Sequence, residues 1–388
     1  MKRPTTLALI AGLLTLAWAM PLPTTAYAQD EPAGPADQPT DEQAKDAGSA
    51  DDIDVVFDED GNILPRHFTA QTQATIEKGL AYLDSVQSNR GSFSNTRDGA
   101  SYPVSMTALA GMAFIGGGNT TTRGPYADNV RKAMEYILSQ AESRNDKIIA
   151  AGSENGRTMY PHGFGLMFLA CVYGMENDPA VRERLKKVID DGIVLVSQAQ
   201  SPAGGWYYTP NSGDEGSVTV TQLQALKAAS NAGFVVPQDT IDKAIRYLEL
   251  CRTPEGGIYY SLSSRGNTRL PISAAALPCM YSAGDYDSEM AEACLAYVFR
   301  EFCENGNNNR WNKQGGHDFY GHYYAAQAFY QAGNEYWDVY FPAAREQLIG
   351  MQSAEGSWNG DGIGPVYGTA LALTILQLPY KYLPIYQR

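Results

Sequence analysis

The chain has 388 residues, a net charge of −14 and only 19% charged residues, enough length for a large core and too little Lys/Arg clustering for nucleic acid. The charge is unevenly spread: residues 29–61 carry twelve acidic side chains against Lys45, leaving −5 for residues 62–388. The acidic balance therefore describes one segment and not a cation-binding fold.

Lys2 and Arg3, the apolar run Leu7 to Met20, and Ala26-Tyr27-Ala28 predict a signal peptide over 1–28. Gly12, Thr15 and Pro21 break the run too soon for it to span a membrane. The reading is of an exported bacterial protein, periplasmic or extracellular, with no transmembrane segment in the mature chain. Residues 29–62, rich in acids, Pro and small side chains, bury too little apolar surface to offset chain entropy and are expected to be a disordered linker. The folded domain is expected over 63–388.

That domain repeats itself. Lys78-Gly79-x-x-Tyr82-Leu83-x-x-x-Gln87-x-x-x-Gly91-x-Phe93 returns from Gly192 to Trp206, from Lys243 to Ile258 and from Ala344 to Trp358. Weaker copies begin at Lys132 and Tyr297. Before each Gln, apolar spacing such as Ile76, Leu80, Leu83 and Val86 predicts a helix with one buried stripe. The Gly supplies a turn, and Trp or Phe packs back across it. A loop leads to a second helix rich in small residues: Ser105 to Ala110, Thr219 to Ala232, Ile272 to Tyr281, Tyr323 to Ala332, Gly368 to Leu376. Six such hairpins predict an all-α fold closed as an α/α toroid, with the aromatic Leu378–Tyr386 tail packing back on it. Five cysteines, an odd number in apolar contexts, read as buried thiols, with a single bridge as the alternative. Asn119-Thr120-Thr121 fits a glycosylation sequon.

The element Gln-x-x-x-Gly-x-Trp, led by Lys/Arg-Gly/Ala-x-x-aromatic-aliphatic, resembles the repeat of squalene and oxidosqualene cyclases, and the hairpin that of protein prenyltransferase β-subunits. The resemblance spans about residues 66–388. It implies a terpenoid cyclase-like scaffold in which Gln87, Gln200, Gln352, Trp206 and Trp358 clamp outer helices. It does not carry the activity over. The cyclase Asp-x-Asp-Asp motif falls on Asp214-Glu215-Gly216, two adjacent acids without the motif's spacing. The prenyltransferase zinc set falls on His317-Asp318-x-x-x-His322, without a Cys and with Tyr367-Gly368 where a His is sought. The thioester motif of complement-type toroids is absent.

Candidate catalytic residues are thus Asp214, Glu215 and Asp318. No cofactor is expected; zinc is the alternative if His162, Asp318 and His322 converge. Inner-helix starts define one mouth, with Tyr102, Tyr160, His162, Tyr208, Arg269, His317, Tyr320, Tyr323 and Tyr367 as ligand-binding candidates. Aromatic faces with polar tips suit a hydrophobic small molecule, a glycan or a protein. The favoured function is binding at that mouth without cyclase chemistry. The alternatives are a divergent cyclase or prenyltransferase-like enzyme, and a carbohydrate-active barrel with two facing carboxylates.

Overall fold

The computed structural model describes residues 64–94, 102–266, 268–304 and 317–386; the expected signal peptide and acidic linker lie outside them. Among the described residues twelve α-helices alternate between two layers. The outer ones are α1 (Ala70–Val86), α3 (Ala127–Glu142), α5 (Pro179–Ala199), α7 (Gln238–Leu250), α9 (Glu289–Cys303) and α11 (Asn334–Met351). The inner ones are α2 (Pro103–Gly116), α4 (Met159–Tyr173), α6 (Gly216–Asn231), α8 (Leu270–Ser282), α10 (Asp318–Ala332) and α12 (Pro365–Gln377). Each inner helix packs on the next, and α12 packs on α2, so the ring closes. Among the described residues only isolated β-bridges interrupt the helical pattern.

Sequence explains the two layers. Inner helices are apolar or small nearly all round, and every residue of α2 is buried. Outer helices present one stripe. Leu83, Ile137, Val196, Leu248, Val298 and Leu348 hold equivalent positions and are all fully buried. Four residues earlier stand Gly79, Ala133, Gly192, Ala244, Cys294 and Ala344, small where an outer helix crosses an inner one. At Gly79 an added Cβ would lie 2.8 Å from the Leu373 side chain. Val86, which the spacing assigns to the stripe, is 40% exposed because α1 ends there.

The repeat turn is the clamp between neighbouring outer helices. Gln87 Nε2 donates to Gly91 O (2.9 Å) within its own turn and to Asn129 O (3.1 Å) on α3. Gln200 does the same to Gly204 and Thr240, and Gln352 to Gly356 and Thr75. The last of these joins the sixth repeat to α1 and shuts the outer layer. Trp206 Nε1 donates to Val196 O (2.8 Å) and Trp358 Nε1 to Leu348 O (2.7 Å), pinning each indole to the helix just left. The backbone N–H of Phe93, Trp206 and Trp358 donates to a Thr hydroxyl on the following inner helix, and that of Ile258 to Ser273.

The tail folds back as its aromatic content predicts. Leu383, Ile385 and Tyr386 are each at most 4% exposed, and Tyr386 Oη lies 2.7 Å from Tyr323 Oη inside the ring. The segment thereby covers the end where inner helices finish. All five cysteines are unpaired. Asn119 is 2% exposed; its amide donates to Phe114 O and its carbonyl accepts from Tyr126 N. The sequon is therefore a structural turn, and expression in a glycosylating host should leave Asn119 unmodified by intact-mass analysis. A glycan mass there would show that this turn opens.

Candidate functional site

Loops entering the inner helices gather at one end of the ring, and among the described residues those before α4, α6, α8 and α12 each lean on the helix start of the preceding hairpin. Met159 N donates to Tyr208 O (3.0 Å) and Gly216 N to Tyr260 O (2.8 Å). Elsewhere a carboxylate makes the contact. Glu154, in the 3-10 turn Gly152–Arg157, accepts from Val104 N (3.3 Å) and Ser105 N (3.1 Å) at the start of α2. Asp361 accepts from Phe319 N (2.9 Å) and Tyr320 N (3.0 Å) at the start of α10. Glu215 caps its own helix α6, accepting from Val218 N (2.6 Å), Ser217 N (2.9 Å) and Ser217 Oγ (2.8 Å).

These carboxylates fill otherwise unpaired helix-start donors, where the helix dipole also favours negative charge. Burial pushes Glu154, Glu215 and Asp361 above the usual carboxylate range, while the amide donors pull each one back. Arg157 adds a downward pull at Glu215. Asp214 is half-buried and accepts from Ser201 Oγ (3.3 Å), and Asp318 is 8% exposed as the first residue of α10.

Tyrosines surround the caps. Tyr160 Oη lies 2.5 Å from Ser217 Oγ, and its ring stacks on Tyr208 at 5.9 Å. Tyr208 Oη meets Tyr260 Oη (2.7 Å), and the Arg157 guanidinium lies 4.8 Å over the Tyr208 ring. Tyr320 and Tyr324 meet edge to face at 4.9 Å. After burial as the larger cause, Tyr324, Tyr160 and Tyr367 lie close enough to raise the Tyr320 hydroxyl pKa, and Tyr324 and Tyr160, with Asp361, that of Tyr367. Phenols from α4, α10 and α12 thus converge beside Glu215 on α6.

Of the candidates read from sequence, Tyr160, Tyr208, Tyr320, Tyr367 and Glu215 come together here. Tyr323 lies further in, against Tyr386. Tyr102 is half-buried at the start of α2, while Arg269 and His317 are exposed before α8 and α10. His162 turns away from the mouth: Nδ1 accepts from Ile149 N (3.1 Å) and Nε2 meets Gly192 O (3.2 Å) on α5. Both ring nitrogens are engaged, which leaves no lone pair for a metal. His322 is fully buried between Phe302 and Tyr340, on the outward side of α10. The zinc set thus has two of its three members facing the outer layer. Among the described residues no three His, Cys, Asp or Glu side chains gather as a metal would need.

Sequence reading missed Glu154, Asp361, Tyr260 and Tyr324. A signal existed for Asp361, which stands in Gly360-Asp361-Gly362 with φ +51° ahead of an inner helix. Tyr324 is one helical turn beyond Tyr320 and shares its face.

No protein-family model and no curated protein matches the chain. Solved structures do. The type II terpene cyclase MstE from Scytonema superposes with a TM-score of 0.55 at 13% identity, covering 81% of this chain and 100% of that one. An α-1,6-mannanase from Salegentibacter sp. HEL1_6 gives 0.58 at 10% identity, covering 80% and 99%. A protein from Actinoplanes gives 0.53 at 12% identity, covering 81% and 99%. At such identities the likeness concerns the fold. Among the described residues no helix is long and apolar enough to cross a membrane. The chain is an α/α toroid of six hairpins with the terpenoid cyclase-like fold.

Proposed function

We propose that this toroid binds a ligand at the mouth where its inner helices start, without cyclase chemistry. The observation that carries the reading is the engagement of the mouth carboxylates. A group that protonates an alkene must be held as a neutral, strongly acidic donor. Glu215 instead accepts from two amides and a hydroxyl, and Asp361 accepts from two amides of another hairpin. Both oxygens of each carboxylate are thus already engaged as acceptors at a helix start, the role of a cap and not of a proton donor aimed at a substrate. What the mouth offers is aromatic face and phenol hydroxyl, which suit binding.

Relatives in fold span both ligand classes open to this chain. MstE variants hold geranylgeranyl dihydroxybenzoate, and an inactive variant of the mannanase holds α-1,6-mannotriose. Protonation of an alkene leaves a solvent-derived hydrogen on carbon, so deuterium reports it. Incubated in D2O with squalene or geranylgeraniol, the protein should return each without deuterium on carbon. Enrichment that disappears in Glu215→Gln or Asp361→Asn would overturn the reading.

A further inference from the structure

We infer that a single water molecule is bound as part of the fold where the inner helices finish, held by the side-chain amide of Gln377. The site stands apart from the mouth and does not depend on the binding role proposed above. Gln377 is the last residue of α12 and is 3% exposed. Its amide lies against the end of α2: a Cβ on Gly116 would sit 2.6 Å from Oε1, and one on Gly117 3.1 Å from Nε2. Neither Oε1 nor Nε2 has a hydrogen-bond partner in the protein. Gln377 also lines a cavity of about 10 Å³, with Gly116 and Thr374 on the ring side and Tyr382, Leu383 and Tyr386 on the returning segment.

Size and chemistry together select the occupant. That volume admits one water-sized body and excludes an organic ligand. An amide presents an acceptor and a donor side by side, whichever way its two ends are assigned. A bare cation of similar size meets only the oxygen, and a halide only the N–H groups. Water meets both, accepting from Nε2 and donating to Oε1. Its second hydrogen has an acceptor in Thr374 Oγ1, which donates its own hydrogen to Ala370 O (2.9 Å) and keeps its lone pairs. The water thus recovers the hydration that the Gln377 amide loses on burial. The two glycines take on a role as well, because a side chain at 116 or 117 would displace the amide from its place between α2 and α12.

High-resolution crystal structures of the full chain, wild type and Gln377→Met, test this. Methionine keeps the length of the side chain without its polar groups. The wild type should show one peak of water density within hydrogen-bond distance of both amide atoms, and Gln377→Met should lack it. No density at the site, a peak with the coordination distances or anomalous signal of an ion, or a water kept unchanged in the variant would overturn the inference. In solution the wild type answers without the variant: the Gln377 side-chain N–H protons should show magnetisation transfer from a long-lived bound water in NMR. Rapid exchange of those protons with bulk solvent, with no such transfer, would also overturn it.

Discussion

Gly356→Ala should cost more than about 4 kcal/mol of stability, and Gly233→Ala only about 1 kcal/mol, although both glycines have a left-handed backbone. The difference is what surrounds them. Gly233 has φ +90° with open space where a Cβ would stand, so alanine there bears only backbone strain. Gly356 has φ +95°, and a Cβ would sit 2.4 Å from Lys78 O, a backbone atom of α1 that cannot swing aside. The substitution must push the sixth repeat off the first. The two Gln352 bonds and the seat of Trp358 go with it. Gly91, Gly204 and Gly256 meet the backbone of the next outer helix in the same way, at 2.1 to 2.3 Å. Gly356 differs because its neighbour is α1, so its loss breaks closure of the ring. Chemical denaturation of both variants measures the contrast. Equal losses would mean that turn strain, and not the clamp between helices, is what these glycines relieve.

The second large effect lies with His162. Burial lowers its pKa from 6.5 to about 4, and Ile149 N donating to Nδ1 requires the neutral ring. The unfolded chain therefore takes up the proton first as pH falls. Stability from this group is full above pH 6.5 and is lost as pH drops toward 4, by roughly 3 kcal/mol. A His162→Gln variant should be less stable at pH 7 but have a flatter acid limb. Parallel pH curves for the two proteins would contradict the assignment. Imidazole NMR offers a check that does not depend on the variant folding: the His162 resonances should remain those of a neutral ring down to about pH 4.

Glu154, Glu215 and Asp361 work in the opposite sense. Their folded pKa values are raised, so each favours the folded state as pH falls toward the ordinary carboxylate value. Acid loss of stability is thus assigned to His162 and to carboxylates held low by ion pairs, such as Asp146 with Arg144 and Asp191 with Lys187, and not to the mouth.

The ring was readable because its closure is encoded locally. Gln, Gly and Trp at fixed spacing make both the turn and the bond to the next outer helix, so each copy announces one joint. The second copy was faint because Ala141 stands where the repeat has its Gln and no Gly-x-Trp follows, the chain instead entering the loop that carries Glu154. The mouth was less readable because its carboxylates act across hairpins. Asp361 caps a helix 42 residues earlier, and Glu154 one about 50 residues earlier. Spacing within a repeat does not reveal such partners. Helical periodicity would have corrected the histidines. His162 stands two residues after Tyr160 and His322 two after Tyr320, so each lies across the helix from a tyrosine that faces the mouth.

Native mass spectrometry of the full chain, purified without detergent, tests the central claim that the mouth is a binding site. The account predicts an added mass on the wild-type protein that is released on gentle activation and absent from a Tyr160→Ala/Tyr208→Ala variant of unchanged fold. Wild type at its bare mass in the presence of candidate glycans and lipids, or an added mass retained equally by the variant, would contradict it.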